Sequence, residues 1–248
     1  MKNNNHQLGR ILTRREALAL FRAAGTAIFV VGCIPRKSNS TQALTVSSTP
    51  ACVVSPEQTE GPYFVDEKLN RSDIRFDPAD GAVKEGVPLQ LTLHVSQVGS
   101  NGCTPLVSAI VDVWHCDALG IYSDVTDRSF STVGKKFLRG YQVTDAKGNV
   151  QFTTIYPGWY QGRTVHIHFK VRTNRTSGQS YEFTSQLYFD DTISDRVYTQ
   201  APYASKGQRT QKNANDGIFQ GGGEQMLLKL TKNEQGYAAT FDVGLQMV

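Results

Sequence analysis

The chain of 248 residues carries little charge, and its basic residues are spread out rather than clustered. Charged residues make up 19% of the sequence and the net charge is only +4. Lysine and arginine do not form a stripe with interleaved aromatic residues, which is the usual footprint of a nucleic-acid-binding surface. The composition therefore argues against a nucleic-acid partner.

Long regular patterns are missing as well. After residue 33 no segment shows the sustained 3.6-residue periodicity of an amphipathic helix, and there is no internal repeat. The 22 glycines and 9 prolines accompany many Val, Thr, Tyr and Phe residues, a combination that favours strands joined by turns. An all-β fold is therefore expected.

The N-terminal region lacks an apolar run long enough to predict a membrane span. Residues 17–31 are apolar but short, and Arg22 and Gly25 interrupt them. They follow Arg14 and Arg15, so residues 1–33 resemble an export signal of the twin-arginine type. Ala17 stands where that signal usually has Phe, which leaves an ordinary secretory leader as the alternative.

The end of this leader suggests how the protein is attached or released. Residues 30–33 read Val-Val-Gly-Cys and resemble a lipobox, in which Cys33 would be lipidated; the alternative is a cysteine in a discarded leader. Residues 34–50 are rich in Ser and Thr and predict a flexible linker before a domain over 51–248. Either reading places the protein outside the cytoplasm: periplasmic, secreted or lipid-anchored at the cell envelope. Membrane contact is expected only through the leader or the anchor.

Cysteine is scarce in the predicted domain, which contains only Cys52, Cys103 and Cys116. In an oxidising compartment, three cysteines divide naturally into one disulfide and one free thiol. Cys103 lies in a turn and can reach a partner, whereas Cys116 follows a strand and is expected to be buried. We favour a pairing of Cys52 with Cys103, although sequence alone does not fix the connectivity.

Several segments alternate apolar and polar residues with the period of a strand. In residues 87–98 the apolar side chains fall on one face, and His94 falls on the polar face, where we expect it to be solvated. Residues 108–115 predict a central strand, with His115 either in a structural role or supporting the residues of a site. Residues 195–209 are expected to be irregular, and residues 226–230 and 237–243 to form a final strand pair. Many short strands separated by turns predict an antiparallel β-sandwich with irregular connecting loops.

The most informative stretch is residues 156–171, YPGWYQGRTVHIHFKV. His166 and His168 alternate with apolar residues, so both imidazoles leave the strand on one face and can hold one metal ion. The simpler alternative is an exposed histidine pair on an ordinary sheet. The extended segment 52–64 also has two interpretations. Either the segment only covers the edge of a sheet, or Tyr63 and its neighbours line a pocket.

Two tyrosines near this strand indicate which metal would fit. Tyr122 and Tyr160 each follow a turn, and a phenol binds metal tightly only as phenolate, a hard anionic ligand. Two phenolates and two neutral imidazoles leave one net positive charge on a trivalent ion. This balance favours Fe(III) over a zinc site, which prefers Cys and His.

Ordered motifs along the chain resemble one family. EGPYF, VDVWHCDALGIYS, RGYQVTDAKGNVQFTTIYPGWY, GRTVHIHFKV and TSQLYF are similar to segments of the intradiol ring-cleavage dioxygenases, which include protocatechuate 3,4-dioxygenase and catechol 1,2-dioxygenase. The chain lacks the long helical N-terminal region of the catechol 1,2-dioxygenases and looks more like exported, single-domain members.

The resemblance implies a role for each site residue. It makes Tyr122, Tyr160, His166 and His168 the ligands of a non-haem Fe(III). Arg163 matches the active-site arginine and Gln186 a glutamine beside the substrate, while Tyr156 is set aside because the PGxY spacing favours Tyr160. The implied reaction cleaves a catechol with O2 between its two hydroxylated carbons and gives a cis,cis-muconate-type diacid, without an organic cofactor. The alternative is an exported β-sandwich binding module that keeps the fold without catalysis. The oligomeric state and the particular catechol are left open.

Overall fold

A computed structural model describes residues 53–174 and 180–247 of the chain. The predicted leader, Cys33, the linker 34–50 and Cys52 lie outside these ranges, so the expectations about export, lipidation and disulfide pairing stay predictions. Within the described ranges, no helix is long and apolar enough to cross a bilayer.

The described residues form strands, short helices and 3₁₀ turns. The strands are β1 (Pro88–Gly99), β2 (Gly102–Pro105), β3 (Ile110–Trp114), β4 (Arg139–Val143), β5 (Asn149–Ile155), β6 (His166–Asn174), β7 (Ser180–Tyr188), β8 (Thr231–Lys232) and β9 (Tyr237–Leu245). The helices are α1 (Asp191–Val197) and α2 (Gly217–Gln220), and the 3₁₀ turns are Tyr203–Lys206, Asn213–Asn215 and Gly223–Met226.

The first sheet is built around β1. Its strand order is β2-β1-β9-β8, and β5 pairs with the first part of β1. β1 is antiparallel to β2 and β5 but parallel to β9. The expected antiparallel arrangement therefore fails at this one pair. β1 and β9 are separated by most of the domain, so no tight hairpin fixes their relative direction.

The second sheet has the order β4-β3-β6-β7 and all of its pairs are antiparallel. β6 lies inside it, with His168 opposite Trp114 of β3 and Gln186 of β7. This register places Trp114, His168 and Gln186 side by side across three strands.

The apolar faces of the two sheets share one core. Leu89, Leu91 and Leu93 of β1 are fully buried in the same cluster as Ile167, Phe169 and Val171 of β6. On β6 this leaves His166, His168 and Lys170 on the opposite face, as period-two alternation requires. The predicted all-β sandwich is confirmed.

Two local expectations near the C-terminus were wrong. Residues 226–230 are not a strand, because the 3₁₀ turn Gly223–Met226 ends there and only Leu227 forms a bridge, with Tyr188. The segment 195–209 was expected to be irregular but begins inside α1, whose N-terminus is capped by the Asp190 side chain. A helix of 7 residues is too short to show a clear 3.6-residue pattern.

The core of β6 can be tested independently of any activity. Phe169→Ala should lower the free energy of unfolding by about 3–5 kcal/mol, because it leaves a cavity where the ring is 0% exposed. Val143→Ala, at a side chain that is 45% exposed, should change it by less than about 1 kcal/mol. Urea unfolding at pH 7 measures both, and equal losses would contradict the assignment of the β6 faces.

Candidate active site

An N-terminal arm, residues 53–66, covers the polar face of the second sheet. Gln58 N donates to Thr184 O, and the Ser185 hydroxyl donates to Pro56 O, which fixes the arm along β7. Further along, Glu60 pairs with Lys170 of β6. A Cβ placed on the next residue, Gly61, would lie 3.4 Å from His168 Cε1. The arm therefore passes directly over the His168 ring.

The two imidazoles converge beneath the arm. His166 Nε2 and His168 Nε2 are 3.0 Å apart, and both residues are only 2% exposed. His166 Nδ1 donates to Thr164 O at 2.6 Å, so the Nε2 of the neutral ring carries a free lone pair. Burial, helped by the charge of Arg163, lowers the pKa of His166 to about 3. Burial also holds the pKa of His168 well below its usual value. Both rings are neutral at pH 7, the form that binds a metal.

The two tyrosines approach from separate loops. Tyr160 Oη lies 3.2 Å from His166 Nε2. The Tyr122 ring lies 5.7 Å from the Tyr160 ring and 6.3 Å from the His168 ring, measured between centroids. Tyr122 is 1% exposed, and its hydroxyl is buried without a hydrogen-bond partner among the described residues. Burial raises the pKa of both phenols above the ordinary value.

This donor set fits a bound metal ion. Two ligands that each lie about 2.1 Å from one ion are roughly 3 Å apart, which is close to the separations of the His166–His168 and Tyr160–His166 pairs in the structure. Buried phenols ionise only beside positive charge, so a highly charged cation would give the Tyr122 hydroxyl the partner it lacks. No group of three or more His, Cys, Asp or Glu able to hold a metal exists within the described residues.

Aromatic stacking holds two of these rings where hydrogen bonds do not. His168 lies flat against Trp114, with ring centroids 4.9 Å apart and an interplanar angle of 8°. Tyr63 of the arm stacks on Tyr122 at 4.6 Å, and its hydroxyl donates to Asp127 Oδ2 at 2.7 Å. The sequence analysis did not assign Trp114 or Asp127 to the site.

Arg163 is fixed beside the imidazoles by two partners. Its Nε donates to Asp216 Oδ2 at 2.8 Å, and one of its Nη atoms donates to Gln186 Oε1 at 2.5 Å. Gln186 in turn donates from Nε2 to Thr59 O of the arm. Asp216 also caps α2 through Ile218 N and Phe219 N. The sequence analysis missed Asp216, because its contact with Arg163 joins residues 53 positions apart and leaves no local signal.

An open cleft leads from the surface to the tyrosines. Its volume is about 410 Å³. Its walls are mainly aromatic, with one acidic and one basic side chain, and comprise Tyr63, Gly120, Ile121, Tyr122, Asp127, Ser129, Phe130, Trp159, Tyr160, Gln161 and Lys206. Tyr63 therefore lines the cleft as well as covering the sheet.

The remaining candidate residues have hydrogen-bond partners other than the four donors. His94 is exposed and pairs with Asp242, as expected of a solvated histidine. His115 is buried, and its ring nitrogens contact Cys116 O and Thr154 Oγ1, which supports the structural interpretation.

The other tyrosine and the cysteines are also accounted for. Tyr156 is in the core and bonded to Ser194. Cys116 is a buried free thiol and Cys103 is in a disulfide. Because Cys52 lies outside the described ranges, the pairing of Cys103 with it stays a prediction.

Comparison with known proteins places this site in a family. A sequence model of the family described as Dioxygenase matches residues 59–246. The protocatechuate 3,4-dioxygenase beta chain of Burkholderia cepacia is 29% identical over 172 residues, covering 64% of this chain and 71% of that protein.

Solved structures agree with this placement. An intradiol ring-cleavage dioxygenase from Tetranychus urticae is 32% identical with a TM-score of 0.67, covering 79% of this chain and 95% of that chain. A dioxygenase domain from Streptomyces sp. SirexAA-E is 28% identical with a TM-score of 0.54, covering 79% of this chain and 100% of that domain. This chain belongs to the intradiol ring-cleavage dioxygenase family and is an enzyme of that ring-cleaving class.

The anchor of Arg163 gives a pH-dependent prediction. Burial alone would raise the pKa of the Asp216 carboxyl, but the N–H groups of Phe219 and Thr164 and the Arg163 guanidinium hold that pKa below its usual value. The carboxylate therefore stabilises the fold above its unfolded pKa, near 3.8, and this contribution is lost as the pH falls through the lower folded pKa.

Asp216→Asn should lower the free energy of unfolding by about 1.5–3 kcal/mol at pH 7, and the deficit should shrink below pH 3.8. The control Asp242→Asn removes a carboxylate that is 54% exposed and should cost no more than about 1 kcal/mol. Urea unfolding at pH 7 and at about pH 2.5, well below the unfolded pKa, measures both. A deficit that is the same at the two pH values would refute the assigned role of the carboxylate.

Proposed function

We propose that this enzyme is a non-haem Fe(III)-dependent intradiol dioxygenase. It cleaves a catechol-type ring with O2 between the two hydroxylated carbons and releases a cis,cis-muconate-type diacid. Both atoms of O2 enter the product, so the reaction needs no external reductant. The substrates named for the relatives, protocatechuate and catechol, support the substrate class but not a choice within it.

One observation supports this proposal above the others. His166 Nε2 lies 3.0 Å from His168 Nε2 and 3.2 Å from Tyr160 Oη. The buried hydroxyl of Tyr122 lies beside them without a hydrogen-bond partner among the described residues. Tyr122, Tyr160, His166 and His168 would hold the ion, and two phenolates suit Fe(III) better than a divalent metal. When bound, the iron acts as a Lewis acid that lowers the pKa of the catechol hydroxyls and makes the ring reactive towards O2.

The two tyrosines differ in what they can do for the substrate. Tyr160 is half-buried and lines the cleft, so as a phenolate ligand its Oη would be placed to accept a proton from an incoming catechol hydroxyl and become a neutral phenol. Tyr122 is stacked against Tyr63, is 1% exposed and lies near the His168 ring, so it has little room to move. We therefore assign proton uptake to Tyr160 and a constant ligand role to Tyr122.

Arg163 supplies the positive charge next to the reacting ring. Burial has the largest effect on the pKa values of Tyr160 and His166, and the positive charge of Arg163 acts to lower both. Since Asp216 and Gln186 hold it on two sides, it needs little reorganisation to stabilise negative charge that develops on the substrate. Gln186 positions this guanidinium and ties it to the arm.

Removal of single donors tests the proposal. His168→Ala should lose bound iron and catechol cleavage, because it deletes one of two neutral nitrogen ligands. Tyr160→Phe should keep part of its iron but lose at least about 100-fold in kcat, because the proton acceptor is gone. Tyr156→Phe, at a core tyrosine bonded to Ser194, is the matched control and should keep both.

Iron content by elemental analysis and the rate at which the muconate-type product forms separate the outcomes. Full activity in either His168→Ala or Tyr160→Phe would remove the assigned site. A folded wild-type protein that binds no iron and cleaves no catechol would favour a binding module instead.

We further propose that the enzyme is exported and acts in the periplasm, in the medium or at the cell envelope. The leader residues Arg14 and Arg15, the apolar segment 17–31 and Cys33 support this, and so does the disulfide at Cys103, since disulfides persist in oxidising compartments.

Cell fractionation and mass spectrometry of the mature N-terminus test the location. We expect the protein outside the cytoplasm, with a lipid on Cys33 or a cleaved leader. Replacing Arg14 and Arg15 by Lys should retain it in the cytoplasm if the twin-arginine route is used. A full-length, cytoplasmic wild-type protein would contradict export by any route.

A further inference from the structure

The Lys206 ammonium joins the two loops that carry the tyrosines. Lys206 ends the 3₁₀ turn Tyr203–Lys206, and its Nζ donates to Leu119 O at 2.5 Å and to Trp159 O at 2.7 Å. Leu119 lies three residues before Tyr122, and Trp159 immediately precedes Tyr160. One side chain therefore spans the backbones of both tyrosine loops, although it is 47 and 87 residues away from them in sequence.

The two loops already pack backbone against backbone at this place. Gly158 N donates to Asp117 O at 3.0 Å, and a Cβ on Gly158 would lie 2.4 Å from that oxygen. A Cβ on Gly120 would lie 2.1 Å from Trp159 O and 2.5 Å from Lys206 Nζ. Only glycine permits so close an approach, because a Cβ at either position would clash with backbone atoms of the other loop.

This packing brings two carbonyl groups into an unfavourable arrangement, which the charge of Lys206 offsets. The carbonyls of Leu119 and Trp159 both direct their negative ends at the Lys206 Nζ position, and two like dipole ends repel each other. Neither carbonyl accepts a backbone N–H in the turns and loops of the described ranges. A single ammonium between them offsets the repulsion and satisfies both acceptors.

Lys206 is itself held in place, unlike an ordinary surface lysine. Its Nζ lies 4.8 Å from the centroid of the Trp159 ring, and the Trp159 indole N–H donates to Gly207 O at 3.1 Å. The turn is anchored by Tyr203, whose buried hydroxyl donates to Tyr156 O. The 3₁₀ turn that carries Lys206 is therefore anchored to the core.

We propose that Lys206 is a positioning residue that clamps the Tyr122 and Tyr160 loops together and so sets the spacing of the two phenol oxygens. The clamp between the loops follows from the contacts alone. Its consequence for metal binding rests on the proposed function, because it takes the two phenols as iron ligands.

The clamp can be tested without any metal. Hydrogen exchange is measured by NMR on the metal-free protein at the amides of Gly120 and Gly158, which both donate to Asp117 O. In Lys206→Met these amides should exchange at least about tenfold faster than in the wild type, since local opening costs less without the clamp. Lys206→Arg, which keeps charge and donors, should restore most of the protection. Lys232→Met, at an exposed lysine of β8, should match the wild type.

The consequence for the site is measured separately. Lys206→Met should bind Fe(III) about tenfold more weakly than the wild type. Its kcat should fall by a larger factor than its KM rises. Lys206→Arg should recover both iron binding and kcat. Lys206→Gln provides the same comparison without the charge if the Met variant does not fold.

Each result decides between the alternatives. Unchanged exchange at Gly120 and Gly158 in Lys206→Met would overturn the clamp. Equal acceleration at the Phe169 amide in the core would do so too, because it would show a general loss of stability rather than a local opening. If the wild type binds no iron while the local acceleration is seen, the proposed function fails and the clamp stands.

Discussion

The structure depends on a free-energy cost. Four atoms that could bind a metal are buried together, and they do not have enough hydrogen-bond partners. His166 and His168 turn two nitrogens towards each other, and the Tyr122 hydroxyl is buried with no partner among the described residues. Leaving a buried polar group unpaired costs about 1–3 kcal/mol, so this arrangement is unfavourable for folding by itself. A bound cation would give these atoms a partner, and they would then be its ligands. The site is therefore organised for binding rather than for stability.

The rest of the domain provides the rigidity that such a site requires. β6 buries Phe169 on one face and presents the imidazoles on the other, so the sandwich core fixes both histidines. The arm, the two tyrosine loops and the segment around Asp216 then close over this face through contacts between distant parts of the chain. A well-packed core thus supports a surface that is held by polar contacts and aromatic stacking.

Local patterns were sufficient for part of this account. Alternation in residues 166–171 predicted both the core face and the histidine pair, because a period of two is a local property of strands. Tyr122 and Tyr160 were candidates from the chemistry of phenolate ligands near the histidine pair, whereas the roles of Arg163 and Gln186 followed from the family resemblance. The structure brings all four together. Their roles as ligands and catalytic groups stay predictions.

Contacts between distant segments could not be predicted in the same way. Nothing near Asp216 or Lys206 in the sequence indicates that one meets Arg163 and the other the carbonyls of the tyrosine loops. The parallel pairing of β1 with β9 is equally non-local, and α1 is too short to leave a periodic signal. These features depend on how the whole domain packs, which one sequence does not report.

The visible absorption spectrum of the iron-loaded protein, recorded before and after catechol is added without O2, tests the central claim most directly. The account predicts a broad charge-transfer band from tyrosinate bound to Fe(III), and a shift of that band when catechol binds. Such a result requires the metal, its oxidation state and the phenolate ligands at once. A protein that stays colourless after reconstitution with Fe(III) would contradict the assignment of Tyr122 and Tyr160 as ligands.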